Sequence, residues 1–379
     1  MFRSQIRRLE RDKEMLNRGN WHQLKKCMKK AEKGEAVTVG FLGGSITQGS
    51  CASTPELCYA YLVYKWWEKK FPQSKITYLN AGIGGTTSQF GAVRVKEHVL
   101  KYQPDFLLIE FAVNDDNNAL FEETYEGLIR NVCKSKPLPA VLLMNNVRYD
   151  NGKSAEEVHL KVAKAYGLPM ISMKETIWPE IENGRLKSHD ITTDDLHPND
   201  TGHALIAGKI IDFLEKTYGD LQIEEEPFFA EEKVFPDPIT ENTYENAFRY
   251  QNTNSRTRME GFKADLSIQN GIRDVFKGGF TGCHKKDKIS FEILCTGVAV
   301  QYRKSVRRPA PIARVTVDGK DEDAVILDGS FEENWGDCLF IDTVTKHMKK
   351  EKHKVEIEII EEHENDAVTF YLVSVIGSD

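Results

Sequence analysis

No stretch of this 379-residue chain holds the run of about 18 apolar residues that a membrane-spanning helix needs, so no membrane span is expected. Cysteine is sparse. The seven (Cys27, Cys51, Cys58, Cys133, Cys283, Cys295 and Cys338) are odd in number, scattered, and never paired as C-x-x-C. That pattern excludes a disulfide frame or a zinc site and reads as ordinary reduced thiols. Positive charge is also in deficit. With 51 Lys and Arg against 58 Asp and Glu, the net charge of −7 argues against nucleic acid as a main partner. The N-terminus lacks the apolar core of a secretory signal, so the expected location is the cytoplasm. No internal repeat and no low-complexity tract occurs.

What is present is a soluble, globular balance, 40% hydrophobic with 29% charged, on a chain long enough for two domains. The first 33 residues are rich in Lys and Arg. Phe2, Ile6, Leu9 and Leu16 recur there at helical spacing, which predicts an amphipathic helix with a solvated basic face.

The chain is organised around Val37-Thr-Val-Gly-Phe-Leu-Gly-Gly-Ser-Ile-Thr-Gln-Gly49. A β-branched apolar run ends in paired glycines, and Ser45 then opens a new segment, as when a parallel strand delivers a side chain to the rim of a sheet. Four more strand signals follow at 75–82, 105–113, 140–147 and 169–173. They are separated by helical patterns at 57–71, through Val93 to Val99, at 125–132 and at 154–166, the last with Ser154 as expected cap and Glu157 at the capping-box position. Asp200 to Tyr218 closes the series. Strands alternating with helices predict an α/β layer with a mostly parallel sheet, in which ligands bind beyond the carboxyl ends of the strands. Ser45, Gly85 and Asn114 all fall at such ends.

From about Glu224 the chain changes character. An acidic, proline-punctuated stretch leads into short alternating apolar runs at 289–294, 298–302, 313–317, 324–327, 354–360 and 368–376, with Asp318-Gly and Asp328-Gly as turn signals. These predict an all-β sandwich or jelly roll.

One further stretch carries chemistry, Thr193-Asp-Asp-Leu-His-Pro-Asn-Asp-Thr-Gly-His203. Asp194 and His197 stand three apart just before the last helix, a spacing that can hold a carboxylate against one imidazole nitrogen and leave the other free to take a proton. Taken alone, such a pair is also what a surface loop contains. Together with Ser45 it gives the order Ser, Asp, His.

These stretches resemble the four blocks of the SGNH (GDSL-like) hydrolase superfamily. Ser45 in Gly-Gly-Ser matches the nucleophile block, Gly85 in Asn80-Ala-Gly-Ile-Gly-Gly the glycine block, and Asn114 in Ala112-Val-Asn-Asp115 the Gly-x-Asn-Asp block. Asp194-x-x-His197-Pro-Asn matches the final block. Gly44 stands where the family usually has Asp, and Ala112 where it has Gly. The resemblance covers roughly residues 35 to 218. It implies a flavodoxin-like three-layer domain with a parallel sheet and ester hydrolysis without metal or cofactor. In that scheme Ser45 is the nucleophile, His197 the base and Asp194 its partner. Ser45, Gly85 and Asn114 supply the oxyanion hole. Domains are then expected at 1–34 (a basic helical segment packing on the catalytic domain), 35–222 (catalytic), 223–240 (linker) and 241–379 (an accessory β-sandwich, jelly-roll-like). Asp195 reads as a loop carboxylate, Asp115 as a brace for the Asn114 loop, and His203 as a helix-packing residue.

An SGNH domain followed by a β-sandwich resembles two-domain bacterial carbohydrate acetylesterases. That implies acetylated hemicellulose oligosaccharides, of mannan or xylan type, as the partner. Trp335 in Asn334-Trp-Gly-Asp337 is the aromatic of the β-module expected to contact sugar, on a loop expected to fold over the catalytic pocket. A lipid or acyl-thioester hydrolase of the same superfamily and a non-catalytic carbohydrate-binding protein are the alternatives. A homo-oligomer stays open.

Overall fold

The computed structural model describes residues 15–223 and 235–379. The chain divides into two compact units, Met1–Thr240 and Glu241–Asp379. Among the described residues no helix is long and apolar enough to cross a membrane.

The first unit is built on a six-stranded sheet. Its strands are β1 (Met15–Asn17), β2 (Val37–Gly43), β3 (Ile76–Gly82), β4 (Phe106–Glu110), β5 (Ala140–Asn145) and β6 (Met170–Ser172). They lie in the order β1-β6-β5-β4-β2-β3. The last five are parallel, and β1 joins antiparallel at the β6 edge. The order of the parallel strands reverses at β2, the flavodoxin-like arrangement whose ligands lie outside the carboxyl ends at the reversal. Strands β4 and β5 are buried along their whole length, as sheets covered on both faces require.

Among the described residues, ten α-helices cover the sheet or connect its strands. They are α1 (His22–Glu32), α2 (Ser45–Gln48), α3 (Tyr59–Lys70), α4 (Ser88–His98), α5 (Ala119–Cys133) and α6 (Glu156–Ala165), then the short α7 (Met173–Thr176), α8 (Trp178–Glu182) and α9 (Ser188–Ile191), and finally α10 (Asp200–Ile223). A core of Phe41, Val63, Trp67, Phe106, Leu142, Ile206 and Leu214, among others, joins strands to helices on one side.

Two expectations for this unit need correction. Leu16 lies in β1 rather than in an amphipathic helix. The backbone there pairs with Ile171 and Met170 at a sheet edge, and Asn17 donates to the carbonyls of Ala163 and Leu168, a tertiary demand that local periodicity does not report. Phe2, Ile6 and Leu9 lie outside the described residues, as does 224–234 of the acidic linker. Ser154 does not cap α6. The N-cap position falls on Ala155, without a side-chain cap, and the Ser154 hydroxyl is buried without a partner among the described residues while its carbonyl accepts from Asn117.

The second unit holds a six-stranded and a five-stranded antiparallel sheet. Alternation is plain in its long strands. Ile289, Phe291, Ile293 and Cys295 point inward between exposed or half-buried neighbours, and Val355, Ile357 and Ile359 do so opposite them. These side chains share a core with Phe280, Val300, Tyr302, Val315 and Leu372 from both sheets. Sequence patterning does not find the short strands at Phe248–Tyr250, Thr257–Glu260, Lys263–Ala264 and Phe280–Gly282, which hold too few residues to show a period. It also misses Cys338–Thr345, where mixed polarity hides the alternation.

Candidate active site

The carboxyl ends of β2, β3 and β4 bring the three motif loops together. At the end of β2 the chain turns sharply through Gly43 and Gly44, and Ser45 becomes the first residue of α2, with only 7% of its surface exposed. Gly43 is required there. A Cβ would lie 2.2 Å from the Thr47 hydroxyl and 2.5 Å from the Glu110 carbonyl. The fourth segment arrives from the stretch before α10. His197 Nε2 lies 2.9 Å from Ser45 Oγ, and His197 Nδ1 lies 2.6 Å from Asp194 Oδ2. The other Asp194 oxygen accepts the backbone N–H groups of His197 at 2.7 Å and Leu196 at 3.1 Å, so the carboxylate shapes its own loop while it holds the ring. Partial burial pushes the Asp194 carboxyl up. The hydrogen bonds from the His197 ring, the His197 N–H and the Leu196 N–H outweigh that and hold it below the ordinary carboxylate range.

The geometry is that of a hydroxyl–imidazole–carboxylate relay, in which a bonded carboxylate fixes the tautomer that leaves Nε2 free to accept the hydroxyl proton.

The remaining motif residues surround Ser45. Gly85 takes a left-handed φ of 68°, and its N–H has no protein acceptor among the described residues. Asn114 lies in the turn after β4, where its N–H and that of Asp115 both donate to Phe111. Its amide oxygen is buried against Gly44, at 2.4 Å from where a Cβ would stand. Gly44, the first departure from the family pattern, and Asn114 are thus fitted to one another in this chain. Any side chain at position 44 would require the Asn114 amide to shift from where it sits. At the second departure, Ala112 is fully buried, donates its N–H to Glu110 and accepts from Ala155.

Several groups that set this geometry lie outside the four blocks or reach beyond their own block. Arg94 of α4 is fully buried, and its guanidinium donates to the carbonyls of Ala81 and Gly43, tying together the ends of β3 and β2. Its position between Val93 and Val95 on an apolar helix is the signal that could have found it. Asp115 accepts the Ser88 N–H, so it reaches the helix after the glycine block, and it meets the ring of buried His159 at 3.0 Å. His159 in turn stacks on Tyr125 with ring centroids 3.7 Å apart. Glu110 is fully buried, and desolvation pushes its carboxyl up to about 8 despite the Ala112 N–H.

His203 is buried. It accepts the Tyr59 N–H on Nδ1, contacts the Ser50 carbonyl through Nε2 and stacks on Tyr59. Asp200 accepts the N–H and the hydroxyl of Ser53, both at 2.7 Å. Asp195 contributes its backbone to the loop, accepting from Tyr149 N–H, and its carboxylate is 3.9 Å from His189. In the second unit Trp335 is 57% exposed, packs edge-on against Phe331 and donates to Glu333.

Residues 41–205 match the GDSL-like lipase/acylhydrolase family. Over 97% of this chain and 98% of the other, the structure aligns at 52% identity and a TM-score of 0.92 with a two-domain esterase (CEX) active on acetylated mannans, co-crystallised with mannopentaose. The chain belongs to the GDSL-like lipase/acylhydrolase family. A second structure of a two-domain esterase active on acetylated mannans aligns with a TM-score of 0.93, over the same shares and at the same identity. Thioesterase 1/protease 1/lysophospholipase L1 of Escherichia coli (strain K12) is 28% identical over 181 residues, 45% of this chain and 80% of that one. As a GDSL-like hydrolase the chain places the residues of all four family blocks at one rim, two of them with the substitutions described above.

Proposed function

We propose that this protein is a serine esterase that removes O-acetyl groups from carbohydrate, with acetylated mannan oligosaccharides as the foremost substrate. The observation that carries ester hydrolysis is the unbroken Ser45–His197–Asp194 relay. The sugar class is supported by the likeness, over nearly the whole chain, to an esterase active on acetylated mannans.

In this reading His197 takes the Ser45 proton as Oγ attacks the acetyl carbonyl, and Asp194 stabilises the imidazolium that forms. Negative charge developing on the carbonyl oxygen is received by the N–H groups of Ser45 and Gly85 and the Asn114 amide nitrogen. Donors fixed in advance are worth more than water because they need no reorganisation. As the tetrahedral intermediate collapses, the imidazolium protonates the sugar's ester oxygen, which departs as a free hydroxyl and leaves the acetyl group on Ser45. Water, deprotonated by the same ring, then releases acetate and restores Ser45.

Because the Asn114 amide packs on Gly44, Gly44→Ala is expected to push it out of line. The result is a kcat lowered about 10- to 100-fold, part of the effect of losing one oxyanion donor, with KM little changed. Steady-state kinetics on an aryl acetate check this.

Acetate release from acetylated mannan, xylan and pectin oligosaccharides tests the substrate class. Mannan fragments are expected to be turned over fastest, and a preference for long-chain aryl esters over acetates would favour the lipid or thioester alternative instead. On the same panel, Trp335→Ala is expected to lower kcat/KM on acetylated oligosaccharide while leaving a small synthetic acetate untouched, because a flat exposed ring is a platform for a sugar and has nothing to offer an aryl acetate. Equal loss on both substrates, or none, would remove Trp335 from the binding site.

A further inference from the structure

The glycine block has a weak point. Two consecutive glycines, Gly84 and Gly85, carry no side chain to hold them, and such a pair has more backbone freedom than any other. Yet a donor that is to receive developing charge must be fixed before the charge appears. The residues on either side are anchored. Gly82 N–H donates to Asn80 Oδ1 at 2.8 Å and Ile83 N–H to the Gly43 carbonyl at 3.1 Å. Downstream, the Thr86 hydroxyl donates to the Ile83 carbonyl at 2.7 Å and Ser88 N–H to Asp115 at 2.9 Å. Within the pair, Gly84 N–H donates to the side-chain oxygen of Gln48 at 2.6 Å, while Gly85 N–H keeps no protein acceptor among the described residues.

We infer that Gln48 is a positioning residue, which clamps the Gly84 peptide so that the Gly85 N–H is held ready for the oxyanion. The inference rests on the esterase reading of the site. Its mechanical sense lies in α2, a helix of four residues. The first presents the Ser45 hydroxyl and the last presents the clamp, so attacking atom and receiving donor are indexed to one rigid piece. That piece is itself seated on the glycine block. Asn80 Nδ2 donates to the Thr47 carbonyl at 2.8 Å, and a Cβ on Gly82 would stand 2.2 Å from Gln48 N. Gly84 lies close to the nucleophile, with its own missing Cβ 3.8 Å from that of Ser45. An unclamped Gly84–Gly85 turn would sample other orientations, and the ground-state complex would not notice because it carries little charge on the carbonyl oxygen.

The test compares Gln48→Met, which keeps length and loses the acceptor, with Gln48→Glu, which keeps an acceptor. Kinetics on an acetyl ester are joined by affinity for a boronic acid that forms a tetrahedral adduct on Ser45, affinity for deacetylated oligosaccharide, and melting temperature. The expected result for Gln48→Met is a kcat lowered about 10- to 100-fold with KM within about twofold. Boronate affinity should fall in proportion, oligosaccharide affinity should not move, and Gln48→Glu should be less impaired. Wild-type kcat in Gln48→Met, a loss confined to KM, or a Glu variant as poor as the Met variant would each overturn the assignment. If Gln48→Met does not fold, Gln48→Ala carries the same comparison. A wild-type protein that neither hydrolyses acetyl esters nor binds boronate would instead defeat the esterase reading itself.

Discussion

Ser45→Ala is expected to lower kcat by about 10⁵- to 10⁶-fold, and His197→Ala by as much, because hydroxyl and imidazole act as one unit and losing either stops acyl transfer. The double variant should be no worse than either single one. The fold should survive. Ser45 is nearly buried, its hydroxyl contacts the His197 ring, and alanine fits the same turn into α2 without a new contact. Acetate release together with thermal unfolding checks both halves of the expectation. A Ser45→Ala protein with turnover within tenfold of wild type would mean that another nucleophile operates.

The second large effect separates two adjacent carboxylates. Asp194→Asn is expected to cost about 10³- to 10⁴-fold in kcat, since an amide opposite Nδ1 no longer fixes the required tautomer or stabilises the imidazolium. Its oxygen can still accept the His197 and Leu196 N–H groups, so the loop should keep its shape and the loss should fall on chemistry rather than stability. Asp195→Asn should stay near wild type, because that residue serves through its backbone N–H to Thr192 and its carbonyl to Tyr149. The reverse ranking would place the imidazole's partner wrongly. Because hydrogen bonding holds the Asp194 carboxyl below the ordinary range, protonation of Asp194 should not limit activity until the solution is more acidic than an unperturbed aspartate would require.

The α/β fold was legible because its strands are long, apolar and regularly separated by helical patterns. The strand-end rule then groups Ser45, Gly85 and Asn114 from the sequence alone. The meeting of Ser45 with Asp194 and His197 was legible from motif order, since D-x-x-H places both groups within one turn. What the sequence hid were contacts set by the third dimension. Arg94 under the ends of β2 and β3, Asp115 against His159, and Gln48 on Gly84 each depend on which segments become neighbours. None has a fixed spacing to its partner. Ser154 misled for a related reason: its cap signature was sound locally, but the loop buries the hydroxyl one residue too early. Strand β1 failed because three residues added to a sheet edge owe their conformation to β6, and the helical spacing of Leu16 could not report it.

His203 and Asp200 fasten the start of α10 to Ser50, Tyr59 and Ser53, and Thr193 reaches the sulfur of Cys51, so the imidazole is registered to the nucleophile's own neighbourhood from both flanks. The segment from Met173 to Ile191 joins this frame at its last helical turn, where the Ile191 and Asp190 carbonyls accept from Asn199 and the Ser188 carbonyl accepts from Thr192. A rewritten turn between Met173 and Lys187 would leave these anchors in place, whereas a change within Ser188–Ile191 would loosen the loop that carries the imidazole.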